Sequence, residues 1–480
     1  MALDSDGRMF SHPSADGQLE AHTPKKVSDE WRQHYHVQPP LGSLDGLAGL
    51  VADAEGYQLF YEWTPVYGQR TKCLYHLTSK DMVAFDDQGV IKMLSDGDSP
   101  GSALVTDNQD GLHLFYTGLK SRRCIQYHSI LDAQKEFKTT EAIIKGTPQG
   151  YLPVMNAPYV FHEDKYRMML GTGTEDEFGR ILVFSGDSPS SFQYDGPLAT
   201  ELDQFGFMWT HPEYFKLDGK DVLLFNVKGL DKYQNSYWNI YQSGYLVGDI
   251  DFNELHMTHG AFHELDHGFD FYAPKTVMSE GKRLIVGWMG TEETDYPTNG
   301  EWDHCLTIPR EVSVRGSHLI QKPFDGLCNY RTNELTAEGY FDHYPRKIKD
   351  FYGHSYELVL DILENNANRI HIDLRVSRRE HTSLIYDSES QVLTLDRTFS
   401  GKLPGNVDGT TRKVQLEAPL SQLDIFMDIS SIEVFANHGE AVMSARIFPS
   451  NESTGVEFST EIGGCHVRMA RYDIKPTNDN

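Results

Sequence analysis

The stretch HVQPPLGSLDGLAGL, residues 36–50, opens the patterned part of this chain. Two prolines and a glycine set a turn, and small residues then lead into a strand. Short runs of the same texture follow it: YQLFYEW, LHLFYTG, YRMMLGT, RILVFSG, DVLLFNV, RLIVGWM and CLTIPREV. Each is rich in β-branched or aromatic residues and is bounded by Gly, Asp or Asn, so each reads as a strand. No long amphipathic helix is visible before Asn329. Many short strands at fairly regular spacing predict a propeller or barrel-like closure, which leaves few open sheet edges. No fixed-length repeat is visible, so the pattern alone sets no number of blades. From Gln321 to Leu335 the texture changes, and QKPFDGLCNYRTNEL reads as a connector. Beyond it SYELVLDIL, RIHIDLRV, LDIFMDIS and SIEVFAN alternate apolar and polar residues with period two, the pattern of a β-sandwich.

The chain has 480 residues, too many for one ordinary core, and two domains are the natural expectation. A net charge of −27 argues against nucleic acid and anionic membranes, which need a basic surface. A phosphorylated ligand would need a local basic pocket against that field. The five cysteines (Cys73, Cys124, Cys305, Cys328, Cys465) are odd in number and lack CxxC spacing, which predicts reduced thiols. The first 31 residues hold no apolar core of a signal peptide, and no run reaches transmembrane length, so a cytoplasmic location is expected.

The motifs, taken in order, resemble glycoside hydrolase family 32, the invertases, fructanases and sucrose-6-phosphate hydrolases. YHVQPPLG, GYQLFYEWTP, YHLTSKDMVAF, GSALVTDNQDGLHLFYTG, FMWTHPEYFKL, ELDHGFDFYAPKTV, KRLIVGWMG and LTIPREV carry the resemblance, with LDRTFSG and SIEVFANHGEAVMSARIFP in the second half. It extends over roughly Trp31 to Pro476. It implies an all-β chain: a polar segment over 1–30, a five-bladed β-propeller over 31–327, a linker over 328–335 and a C-terminal β-sandwich over 336–476.

The resemblance also implies a chemistry. A retaining glycosidase holds two carboxyl groups about 5–5.5 Å apart, one as nucleophile and one as acid and then base. This family adds a third carboxylate that grips the fructose hydroxyls. Aligned without gaps between Gly42 and Gly49, the nucleophile position is Gly46, with Asp45 on the residue before it. The hydroxyl-gripping position is Ala157, in Asn156-Ala157-Pro158-Tyr159. The acid/base position is Thr210, in Trp209-Thr210-His211-Pro212-Glu213. All three carboxylates are replaced inside well-matched frames. Sugar-contact positions have changed as well: Glu62 stands for a Gln, Leu74 and Phe85 for tryptophans, and Ser99-Pro100 for Phe-Ser. Asp266, Asp270, Tyr272, Pro274 and Trp288 lie in motifs that read as architectural.

Asp45, Glu62 and Glu213 are the carboxylates that could act in place of the lost ones. Against this, Asp45 also reads as a turn residue beside Gly46, Glu213 as a structural hydrogen-bonding residue, and Glu62 as a polar lining group. The pocket expected from the resemblance comprises Asp45, Glu62, Leu74, Phe85, Ser102, Asn156, Trp209 and His211. The reading is an inactive relative that binds a carbohydrate or associates with itself or an active paralogue. The alternatives are an active glycosidase with relocated carboxylates and a structural subunit. The 21 histidines form no HExxH set, so no catalytic zinc or other cofactor is expected. GTGTEDEFG, residues 171–179, joins two β runs and reads as a hairpin loop, and TEETD near Thr291 as a solvated loop.

Overall fold

The computed structural model describes residues 29–66, 71–94, 99–105, 111–120, 123–132, 137–291, 293–298 and 301–477, apart from the side chains at 100, 105 and 139. The polar segment expected over 1–30 lies outside the described residues up to residue 28, as does Glu292 of the acidic loop.

The described residues up to Pro323 form five sheets in chain order, antiparallel but for one short pair. Their first strands are Gly42–Asp53, Ser99–Val105, Asn156–His162, Met208–Leu217 and Tyr272–Ser279. Each of these inner strands touches the next, and the last touches the first, so the sheets close into a propeller. Trp302–Asp303 pairs in parallel with Gly42 and Ser43, so a late segment latches the first sheet. Local sequence sets the hairpins. Asp218-Gly219 and Glu280-Gly281 both have positive φ at their two turn positions, as the tightest hairpin turns require.

A 3-10 turn, Asp325–Tyr330, leads out of the propeller. The next strand, Arg331–Phe341, already pairs with Cys465–Ile474 in the second part, so five residues expected in the connector belong to a sheet. The second part is two six-stranded sheets, a sandwich. Tyr356, Leu358 and Leu360 from one sheet meet Ile370, Ile372 and Leu374 from the other, all buried, which is the period-two pattern made physical. No helix among the described residues is long and apolar enough to cross a membrane. All five cysteines are free.

Buried charges join the two parts. The backbone N–H groups of His34 and Tyr35 donate to the Asp428 carboxylate at 3.0 Å each. The His36 ring bridges Asp428 at 2.8 Å and Glu433 at 3.0 Å. Arg310 pairs with Glu433 at 2.6 Å and Asp266 at 3.0 Å. Asp266 also accepts from the Ser444 backbone at 2.8 Å. Asp270 accepts from Arg397 at 3.0 Å, from the Arg446 backbone at 2.8 Å and from the Tyr296 hydroxyl. Asp266 and Asp270 are thus bolts between propeller and sandwich, in keeping with the architectural reading of their motif.

Candidate functional site

Every inner strand is irregular near its start. The register of pairing shifts between Leu44 and Gly46, between Pro100 and Ser102, across Ala157-Pro158, between Thr210 and Glu213, and between Tyr272 and Lys275. A bulge adds an unpaired residue and re-aims the side chains beside it, and bulges gather at barrel rims and active sites. Three of these bulges hold the residue before a proline in the left-handed region: Ala157 at φ 54°, His211 at 49° and Ala273 at 43°. Gly46 stands at φ 135°, a conformation open to glycine and strained for any other residue. The bulges of the five inner strands form the floor of the propeller, and Gly46, Ala157 and Thr210 each lie at one of them.

Aromatic rings cover that floor. The Thr210 hydroxyl lies 3.2 Å from the Tyr272 hydroxyl, and the His211 ring meets Tyr272 edge-on at 5.6 Å. Tyr241 and Trp288 flank Tyr272 at 5.4 and 6.2 Å. A Cβ at Gly46 would find Trp288 Cε3 at 3.9 Å, so a side chain there has room while its backbone does not permit it. His304 packs on Trp288 at 4.9 Å and donates Nδ1–H to the Leu44 carbonyl at 2.9 Å. Burial, with Lys275 and Lys228 nearby, holds His211 down to about 3, so its ring is neutral and supplies no proton at ordinary pH. Three buried polar atoms, Asn156 Oδ1, His211 Nδ1 and Trp288 Nε1, have no hydrogen-bond partner in the protein. Buried polar atoms are ordinarily paired, so three unpaired ones in neighbouring strands stand out.

The remaining carboxylates are engaged elsewhere. Asp45 is the extra residue of its bulge, and its carboxylate accepts from Ser43 Oγ at 2.5 Å and from the Thr64 hydroxyl. Glu62, across the pairing from Gly46, is buried against Lys72 in an ion pair. Glu213 is buried, accepts from the Thr276 N–H at 2.9 Å and lies 3.4 Å from Lys275 Nζ. Burial raises its pKa, opposed by Lys275 and the Thr276 bond.

Of the expected pocket, Asn156 and His211 reach the floor, with Asp45 and Glu62 at its side. Four other residues do not. Leu74 belongs to a hydrophobic cluster with Ala48, Phe60 and Leu114 between the first two sheets. Phe85 starts the outermost strand, Phe85–Leu94, of the first sheet. Trp209 is fully buried on Phe225 at 4.6 Å and donates to the Phe205 carbonyl at 2.6 Å. Ser102 is a strut that donates to the Pro158 carbonyl at 2.7 Å and accepts from Val160 N–H at 3.2 Å. Conversely Tyr272 and Trp288, read from sequence as architectural, form the floor. No sequence motif marks Tyr241, Lys228 or His304, and only their spatial convergence identifies them.

The floor depends on close approach of backbones. A Cβ at Gly171 would lie 2.3 Å from the Trp209 carbonyl oxygen and 2.7 Å from Thr210 Cα. Gly171→Ala is therefore expected to force the third and fourth sheets apart and to cost about 2 kcal/mol in urea unfolding. An unchanged midpoint would mean that the contact yields freely.

Comparison with known proteins places this geometry. Residues 36–323 match the glycosyl hydrolases family 32 N-terminal domain, and residues 331–475 match the family's C-terminal domain. The chain is 39% identical to the sucrose-6-phosphate hydrolase of Staphylococcus xylosus over 472 residues, 95% of each chain. It is 33% identical to that of Bacillus subtilis over 460 residues, 90% of this chain and 92% of the relative. The structure of sucrose-6-phosphate hydrolase from Lactobacillus gasseri superposes with a TM-score of 0.86 at 26% identity, over 94% of both chains.

Proposed function

The chain belongs to glycosyl hydrolase family 32, and from that premise we propose that it is a catalytically silent member whose propeller floor binds a carbohydrate without cleaving it. One observation carries this reading. The three positions that the family resemblance assigns to carboxylates hold Gly46, Ala157 and Thr210, while Asp45, Glu62 and Glu213 each have other partners. A retaining mechanism needs a free carboxylate facing the anomeric carbon and a protonated one within about 5.5 Å. The partnerless Asn156, His211 and Trp288 atoms support a retained ligand. The sugars named for the relatives, sucrose and sucrose 6-phosphate, are the first to test.

Hydrolysis of both sugars by the purified protein is expected to match the protein-free rate. A Gly46→Asp, Ala157→Asp, Thr210→Glu variant is expected to regain little. The φ of 135° at residue 46 strains any aspartate there, whereas Ala157 at φ 54° is in a region that aspartate tolerates. Turnover by the native protein that Asp45→Asn or Glu213→Gln abolishes would overturn the proposal in favour of relocated carboxylates.

A further inference from the structure

The inner strands enclose a further space beyond the bulges. Three residues or so past the floor, the inner strands surround a half-open cavity of about 380 Å³. Ser102, Tyr159, Glu213, Lys275, Thr276 and Arg283 are among its lining residues. Its size is that of a small-molecule pocket. Its charge is unusual for this chain, because one carboxylate faces two cations inside a protein of net charge −27.

Lys275 is only 1% exposed, and its Nζ meets a single group, the Glu213 carboxylate, in a long ion pair at 3.4 Å. The Arg283 guanidinium covers the Phe215 ring at 4.6 Å and reaches Thr276 Oγ1 at 3.4 Å, while its buried Nε has no partner. Glu213 is engaged by Lys275 and the Thr276 N–H, and it anchors the lysine. Charged donors removed from water are costly unless they meet an acceptor. Lys275, with one long ion pair, and the half-buried Arg283, with an unpartnered Nε, line one cavity with the Thr276 hydroxyl, which accepts from Arg283 and keeps its own proton to donate. We infer that this cavity binds a small anion through a phosphate group held between Lys275 and Arg283. Phosphate presents more acceptor oxygens to these three donors than a carboxylate does, and charge-assisted bonds to Arg and Lys are the strong class. This site is separate from the floor and stands whether or not the floor turns over sugar.

Titration calorimetry on the full chain tests it, with inorganic phosphate and glucose 6-phosphate as probes at constant chloride. Saturable binding of at least one is expected. Binding of inorganic phosphate identifies a free oxyanion as sufficient, and binding of glucose 6-phosphate alone identifies a phosphorylated small molecule. Arg283→Gln should weaken binding at least tenfold. A Lys275→Met, Glu213→Gln double variant, which strands no buried charge, should do the same. Lys347→Gln, on the exposed face of the sandwich, should change nothing. No saturable binding to either probe would overturn the inference. So would binding that survives both pocket variants, or binding that Lys228→Gln at the floor removes while Arg283→Gln leaves it intact.

Discussion

Asp270→Ala is expected to cost the folded protein about 3–5 kcal/mol, a large part of the total stability of an ordinary domain. The carboxylate is 1% exposed and serves three donors from three segments: Arg397, the Arg446 backbone and Tyr296. Removing it leaves the fully buried Arg397 guanidinium with the Arg446 carbonyl at 2.9 Å as its remaining hydrogen bond and no countercharge. Burial already pulls Arg397 below the usual arginine range, and Asp270 is the first of the groups that oppose this. The cost is thus mainly that of an orphaned charge. Asp270→Asn keeps the shape and an acceptor oxygen but not the charge, so its cost should fall between zero and that of the alanine variant. Urea unfolding read by tryptophan fluorescence gives both values. A loss under about 1 kcal/mol for Asp270→Ala would show that the arginine finds water and that the bolt is dispensable.

The second large effect depends on pH. Burial alone would lower the pKa of His36, but the hydrogen bonds and charges of Asp428 and Glu433 more than reverse this and raise it to about 9. The ordinary histidine value is 6.5. Since the folded value is the higher one, the stabilisation is complete below pH 6.5 and disappears as pH rises through about 9. The window corresponds to about 3 kcal/mol, at roughly 1.4 kcal/mol for each tenfold in proton affinity. Stability should therefore decline from pH 6.5 towards 9, and the difference between native protein and His36→Gln should shrink over the same range. A difference that is flat from pH 6 to 9 would mean that the ring is neutral throughout and that one carboxylate carries a proton instead. Acid has the opposite effect on the partners. Asp428 and Glu433 are held below the usual carboxylate range, with hydrogen bonds and the charges of His36 and Arg310 outweighing burial, so their share of stability is lost as pH falls through those lowered values.

Much of the fold is legible in the sequence because β structure writes its burial into alternate positions. Tyr356, Leu358 and Leu360 point inward where the pattern says they do, and Asp218-Gly219 turns where its dipeptide says it turns. The site is less legible. A bulge inserts a residue without disturbing the apolar pattern, so Asp45 keeps its place in the string while its side chain is re-aimed to Ser43 and Thr64. Leu74 and Trp209 match positions of ligand-facing motifs, yet both face neighbouring sheets. Tyr272 and Trp288 show the reverse, because a residue in a structural motif can still present its ring to the channel. Lys275 and Arg283 are eight positions apart on adjacent strands, and nothing in either run hints that their donors share one cavity.

The segment that crosses from Trp31 to His36 has a consequence for how the protein is made. His36 meets Asp428 across 392 residues, and the carbonyl of Trp31 accepts from Ser430 Oγ at 2.7 Å. At about 5–20 residues per second, a ribosome needs roughly 20–80 s to travel that distance. Throughout that interval the segment lacks its sandwich partners, and only propeller contacts such as Gln33 to Cys305 and Arg32 over the Trp302 ring are open to it. The protein is fastened like a belt whose buckle is manufactured last. A chain that stops before residue 428 would lack Asp428 and Ser430, and with them the hydrogen bonds that tie residues 31–36 to the sandwich.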